Sequence, residues 1–150
     1  MSIQTVLIPT DFSDLSNEAV DFAFSLCQAM KPSMIFMFVD DWPDHSDATA
    51  PLHNEYGDYK REEAHMLLDK LVQRAKEHGM NGSQECVEGI PYVEIIRMVR
   101  KRKVDLIVMG THGETGLPHI MIGSQADRVV RLSPCPVVTV KSKTHKYRPI

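Results

Sequence analysis

Short apolar runs alternate with stretches of helical period along the chain. Thr5-Val6-Leu7-Ile8 is apolar, rich in β-branched residues and stopped by Pro9, which predicts a strand buried on both faces. With Ser13 or Ser16 as cap, Ala19, Phe22, Ala23, Leu26 and Met30 repeat at i, i+3, i+4, so a helix is expected to about Met30, before Pro32. Met34 to Val39 is continuously apolar, as parallel strands covered on both faces are. Asp40 to Gly57 follows neither period, holds four aspartates and two prolines, and reads as a long surface loop. A second helix is expected from Tyr59 to His78 on the stripe Ala64, Leu67, Leu68, Leu71, Ala75, with Gly79 as its C-terminal cap.

Ser83 to Val87 is a weak third strand. Gly89-Ile90-Pro91 then opens a helix with Tyr92, Ile95, Ile96 and Val99 facing inward and Arg100 to Lys103 at its end. Val104 to Met109 is a fourth strand that runs into Gly110-Thr111-His112-Gly113-Glu114-Thr115-Gly116. A last helix begins near Ser124, where Ser124-Gln125-Ala126-Asp127 has capping-box form, and stops before Ser133-Pro134. Pro136 to Val140 is the fifth strand, and 141–150 is a polar, basic tail beyond a domain spanning 1–140.

Strands alternating with helices call for a doubly wound, Rossmann-like α/β fold: a five-stranded parallel sheet with right-handed crossovers and helices on both faces. Ligands in such sheets sit beyond the carboxyl ends of the strands, where the strand order reverses. The order 3-2-1-4-5 would set Pro9-Thr10-Asp11 and the glycine-rich turn on opposite sides of one crevice.

Composition narrows the function. The 150 residues are 43% apolar, enough for one domain with a real core and no staples. A net charge of -3 lacks the basic excess of a dedicated nucleic-acid binder. The longest apolar run, Met34 to Val39, is far short of the roughly 20 residues of a spanning helix. The start of the chain has no basic region of a signal peptide, so a cytoplasmic location is expected, without a membrane partner. Cys27, Cys86 and Cys135 are scattered and odd in number, which argues for reduced thiols over disulfides or zinc.

The candidate chemistry lies in Gly110, Gly113 and, nine residues on, Gly123-Ser124 opening a helix. Glycine lets backbone N–H groups approach an anion, and a helix N-terminus adds unpaired donors and the positive end of the dipole. Across the crevice, the Asp11 carboxylate can accept from ribose hydroxyls or help hold a divalent cation such as Mg²⁺ near phosphates. Each glycine alone is as well explained by a tight turn, and Ser124 by a helix cap. Their combination with Asp11 is what points to phosphate. Neither a dinucleotide fingerprint nor a Walker A loop is present.

Pro9-Thr10-Asp11-Phe12-Ser13, the run from Val104 to Gly113, Gly123-Ser124 and Ser133-Pro134-Cys135-Pro136-Val137 resemble the universal stress protein family, in order and at its distances, from Ile3 to Val140. The resemblance implies the branch that binds ATP, with AMP or ADP as competing ligands. It implies that Asp11 takes the ribose or adenine side and that Val39 lines the adenine pocket. Met109 and Gly110 would touch adenine and ribose, and Gly113, Gly123, Ser124 and the Gln125 N–H would hold the phosphates. Pro9 and Thr10 belong to the same loop as Asp11; apart from the resemblance, His112 and His119 read first as turn and surface residues and second, when protonated, as phosphate contacts.

Bland readings cover the remaining features. His112 and His119 find no third ligand at zinc spacing, and Asp40, Asp41, Asp44 and Asp47 fail the calcium-loop pattern and read as a solvated face. No set of residues supplies the base and charge stabilisation of a dedicated hydrolase, which leaves no catalytic residue and at most slow ATP hydrolysis. The apolar strand Pro136 to Val140 would be a sheet edge and invites an antiparallel homodimer, as the resemblance also implies. Two function classes follow: a nucleotide-responsive module read by a regulatory protein partner, or a slow hydrolase or accessory protein acting without nucleotide.

Overall fold

The computed structural model describes residues 2–41, 50–111 and 123–141, with the backbone alone described for 50–57. In chain order the elements are β1 (Thr5–Pro9), α1 (Asp14–Cys27), β2 (Ser33–Asp40), α2 (Ala50–Glu77), β3 (Gly82–Glu88), α3 (Pro91–Arg102), β4 (Leu106–Gly110), α4 (Ser124–Leu132) and β5 (Val137–Val140). All strand pairs are parallel, and the sheet order is β3-β2-β1-β4-β5, as the alternation of elements predicts.

Two apolar layers flank the sheet because alternate strand residues point to opposite faces. Val6, Ile8, Met34, Phe36 and Phe38 join Val20, Phe24 and Cys27 of α1 and Ala64, Leu68 and Ala75 of α2 in one layer. Leu7, Ile35, Met37, Ile107 and Met109 join Ile95, Met98 and Val99 of α3 and Ala126 and Val129 of α4 in the other. Each of the large side chains sealed here contributes about 1.5–3 kcal/mol through burial. At the amino ends of the strands, Asp105 Oδ2 accepts from the N–H groups of Gln4 at 2.8 Å and Thr5 at 2.9 Å, and so ties β1 to β4.

Three expectations need correction. The stretch read as a loop from Asp40 to Gly57 contains the start of α2 at Ala50, and Asp40 itself is the last, buried residue of β2. Polar turns without an apolar stripe can extend a helix nucleated elsewhere, and Pro51 costs little in a first turn. Helix α1 stops at Cys27, and its core face is Ala19, Val20, Ala23, Phe24 and Cys27, whereas Phe22, Leu26 and Met30 are exposed. The N-cap of α4 is Gly123, so Ser124 is the first helical residue and no capping box forms. In contrast, Ser13 does cap α1, accepting from the Ser16 N–H, and Gly79 has the positive φ, +72°, of a helix terminator.

Candidate functional site

The parallel sheet brings the carboxyl ends of β1, β2 and β4 to one side of the molecule, and with them Pro9, Thr10, Asp11, Val39, Met109 and Gly110. Pro9 and Thr10 are buried, and the Thr10 N–H donates to the Met37 carbonyl at 2.8 Å, which prolongs the β1–β2 ladder to the brink of the loop. Val39 is half-buried at the end of β2. Met109 is buried, at 7% exposure, under the second apolar layer. Gly110 has a packing reason to be glycine: a Cβ there would stand 3.1 Å from Leu15 Cγ. Its bareness lets the end of β4 tuck against the first turn of α1.

Asp11 is held by the helix that follows it. Its Oδ1 accepts from the Ser13 N–H at 3.1 Å, from Ser13 Oγ at 2.6 Å and from Ser16 Oγ at 2.7 Å. The Asp11 N–H in turn donates to Ser16 Oγ at 3.3 Å. The next residue, Phe12, has φ +64°, a left-handed conformation uncommon for a bulky side chain. It is over-determined by its neighbours: the Phe12 N–H donates to Thr10 Oγ1 at 3.0 Å, Asn17 Nδ2 donates to its carbonyl at 3.3 Å, and its ring stacks on Phe38 at 5.4 Å. Local strain of this kind costs about 1–3 kcal/mol and persists only where the surroundings enforce it.

Opposite, the α4 N-terminus hangs from β4 through Thr111. The buried Thr111 accepts from the Gly123 N–H at 2.7 Å through its carbonyl, while its own N–H donates to the Val140 carbonyl at 3.1 Å. Gly123 offers no side chain to cap α4, and the first intrahelical bond runs from the Asp127 N–H to the Gly123 carbonyl at 2.9 Å. Among the described residues no side chain caps the leading N–H groups of the helix, at Ser124 and Gln125 among them, and this dipole end is suited to an anion. The Gln125 side chain turns the other way, and its Oε1 accepts from the Tyr92 N–H at 3.2 Å at the start of α3. The amide oxygen of Gln125 is thus engaged with the start of α3. His112 and Gly113 lie outside the described residues, as do His119, Asp44 and Asp47.

The sequence reading missed a third group at this end of the sheet. Asp40, with its side chain 2% exposed, meets Lys60 Nζ at 3.3 Å and Arg61 Nε at 3.6 Å, and Arg61 Nη2 meets Glu88 at 2.7 Å. Lys60 also lies over the Phe38 ring, 5.7 Å from its centroid. The cluster ties α2 to the ends of β2 and β3 beside Val39. Burial, helped by the Asp40 charge and opposed by Arg61, raises the pKa of Cys86 above its ordinary value. Its signal in the sequence was Lys60-Arg61 following an aspartate-rich stretch, legible only once the helix is known to reach back past Gly57.

The sequence pattern described as the universal stress protein family matches residues 2–141. The chain belongs to the universal stress protein family. Universal stress protein MJ0531 of Methanocaldococcus jannaschii is 37% identical over 91% of this chain and 81% of its own length. MJ0577 of the same organism, also a universal stress protein, superposes with a TM-score of 0.85 at 28% identity, over 96% of this chain and 99% of that one. A universal stress protein solved in complex with cAMP superposes with a TM-score of 0.66 at 26% identity, over 94% of this chain and 98% of its own. In this universal stress protein Pro9 to Asp11 and the N-terminus of α4 thus stand at the end of the sheet at which the fold class places ligands.

Among the described residues no group of three or more His, Cys, Asp or Glu side chains stands at metal-binding distance. Asp11 has already committed Oδ1 to three donors, which suits it to a further hydrogen-bond donor such as a ribose hydroxyl or amino group better than to a cation. No described helix is long and apolar enough to cross a membrane.

Proposed function

We propose that this universal stress protein binds an adenine nucleotide, ATP or its competitors ADP and AMP, between the ends of β1 and β4 and serves as a nucleotide-responsive regulatory module in the cytoplasm. The observation that carries the reading is the placement of a built acceptor, Asp11, and of the glycine-capped N-terminus of α4 at the carboxyl ends of the paired strands β1 and β4. The acceptor meets donors of the nucleoside, and the helix end, with Gly123, Ser124 and the Gln125 N–H, meets phosphate. The solved relative bound to cAMP supports the ligand class. Met109, Gly110 and Val39 wall the base, and any Mg²⁺ would travel with the phosphates and not on a protein cage. The exposed edge strand β5 pairs two copies, and a regulatory protein reads the nucleotide state.

Calorimetric titration of ATP, ADP and AMP, with native mass spectrometry for stoichiometry and oligomeric state, tests this. Saturable binding that falls at least about tenfold in Asp11→Ala and in Gly123→Val supports the crevice, since one lost charge-assisted contact is worth about that much. Absence of any adduct at millimolar nucleotide refutes it.

A further inference from the structure

We propose that Ser16 is the positioning residue of the nucleotide site: its buried hydroxyl fixes the direction of the Asp11 carboxylate, and so sets the affinity for the nucleoside donor that Asp11 meets. The inference rests on the binding reading above. Ser16 is the third residue of α1, 6% exposed, on a turn whose neighbours Ala19 and Val20 are core residues. Alanine would suit a buried helical position better than serine, because serine's hydroxyl competes for backbone partners. The hydroxyl here is spent on one residue. It donates to Asp11 Oδ1 at 2.7 Å and accepts from the Asp11 N–H at 3.3 Å.

Ser13 shares the task but has another. Its Oγ donates to the same oxygen at 2.6 Å and accepts from the Ser16 N–H as the cap of α1. Removing Ser13 would therefore disturb the helix start as well as the carboxylate, whereas Ser16 serves Asp11 alone. A carboxylate rotates freely about its last bond unless its oxygens are told apart. Two hydroxyl donors and one N–H converging on Oδ1 make that distinction, and they hold the carboxylate in one direction before a ligand arrives. Such advance ordering raises affinity by lowering what binding must immobilise.

The test is a double-mutant cycle on nucleotide affinity in the full chain, with AMP as the titrant. Ser16→Ala is expected to weaken AMP about fivefold in the wild-type background and less than about twofold in Asp11→Ala, because its effect passes through the carboxylate. Ser16→Thr, which keeps the hydroxyl, is expected to restore affinity. Ser16→Cys, close in size but a weak donor, is expected to behave as Ser16→Ala and carries the test should alanine fail to fold. Analogues lacking the 2′-hydroxyl, the 3′-hydroxyl or the adenine amino group locate the donor: the loss on Ser16→Ala should vanish for one of them. An equal loss in both backgrounds, or for every analogue, would show Ser16 acting through the fold at large and overturn the proposal. So would unchanged affinity in Ser16→Ala beside a weakened Asp11→Ala. Failure of the wild-type chain to bind AMP or ATP would instead sink the binding reading itself.

Discussion

Two aspartates stand near opposite ends of the central strand pair, and each gathers several donors on one oxygen. Asp105, at the amino ends, draws its donors from the Gln4 and Thr5 N–H groups, a hundred residues away in sequence. Asp11, beyond the carboxyl end of β1, draws its donors from Ser13 and Ser16, within five residues. The first carboxylate stitches two strands together and completes their backbone hydrogen bonding. The second, through the Ser13 and Ser16 hydroxyls, organises its own loop and the start of α1. A polar cluster built on its own turn, at the end of a sheet where ligands gather, is placed for recognition; one that joins strands a hundred residues apart is placed for stability.

The largest expected effect erases that distinction. Gly110→Val would drive a branched side chain into Leu15, which a single Cβ would already approach to 3.1 Å. Overpacking of this kind costs about 1–3 kcal/mol, and for a chain of this size lowers Tm by several degrees. Because Leu15 sits in the same first turn of α1 as Ser16, the crevice should suffer too, with nucleotide affinity reduced along with stability. A variant that melts like the wild type and binds like it would show that β4 and α1 are not wedged at this point.

Asp105→Ala sharpens the contrast. It leaves the Gln4 and Thr5 N–H groups without their carboxylate at the rim of the sheet, for an expected loss of about 1–2 kcal/mol. Denaturant unfolding should show a lower midpoint with an unchanged slope, while nucleotide affinity stays within about twofold because the site lies at the other end of the strands. A binding defect as large as that of Asp11→Ala would mean that the two ends are coupled through β1 and β4.

The same contrast explains what could be read from the sequence. Strand runs such as Thr5 to Ile8 and Met34 to Val39 are buried on both faces, so their apolar continuity announced them, and the alternation with helices carried the parallel order with it. Asp11, Gly110 and Gly123 were legible because their spacing is tied to strand ends. Asp40 was not. It reads as one more residue of an acidic stretch until α2 is seen to bring Lys60 and Arg61 back onto it, a tertiary contact that no local period encodes. Ser16 was visible only as a possible helix cap, because its partner lies behind it in the chain and its role depends on the left-handed turn at Phe12. The capping-box form at Ser124 misled for the opposite reason: the pattern was local, and Gly123, bonded to the Thr111 carbonyl, is the N-cap, with Ser124 already the first helical residue.

The thiols give the smallest and most selective probe of the two ends. Cys27 closes α1 in the core and is raised above its ordinary value of 9.0 by burial alone. Cys86, toward the carboxyl end of β3, is raised by burial first and by Asp40 second, with Arg61 opposing. Both thiols keep their protons in the folded chain where the unfolded chain would release them. Their contribution to stability is therefore complete below pH 9.0 and is lost as pH climbs through the raised folded values. Denaturant midpoints should accordingly fall on the alkaline side, and less steeply once Cys27 is replaced by alanine, after allowing for the pH-independent cost of the lost side chain. Asp40→Asn removes the charge from one thiol's surroundings only. In a chain keeping Cys86 as its single cysteine, the pH profile of its reaction with a small disulfide reagent should shift downward on Asp40→Asn, whereas the matching profile of Cys27 should not move. A Cys86 profile unaffected by Asp40→Asn would show that the carboxylate's field is cancelled by Lys60 and Arg61 before it reaches the thiol, and that the cluster beside Val39 is electrostatically closed.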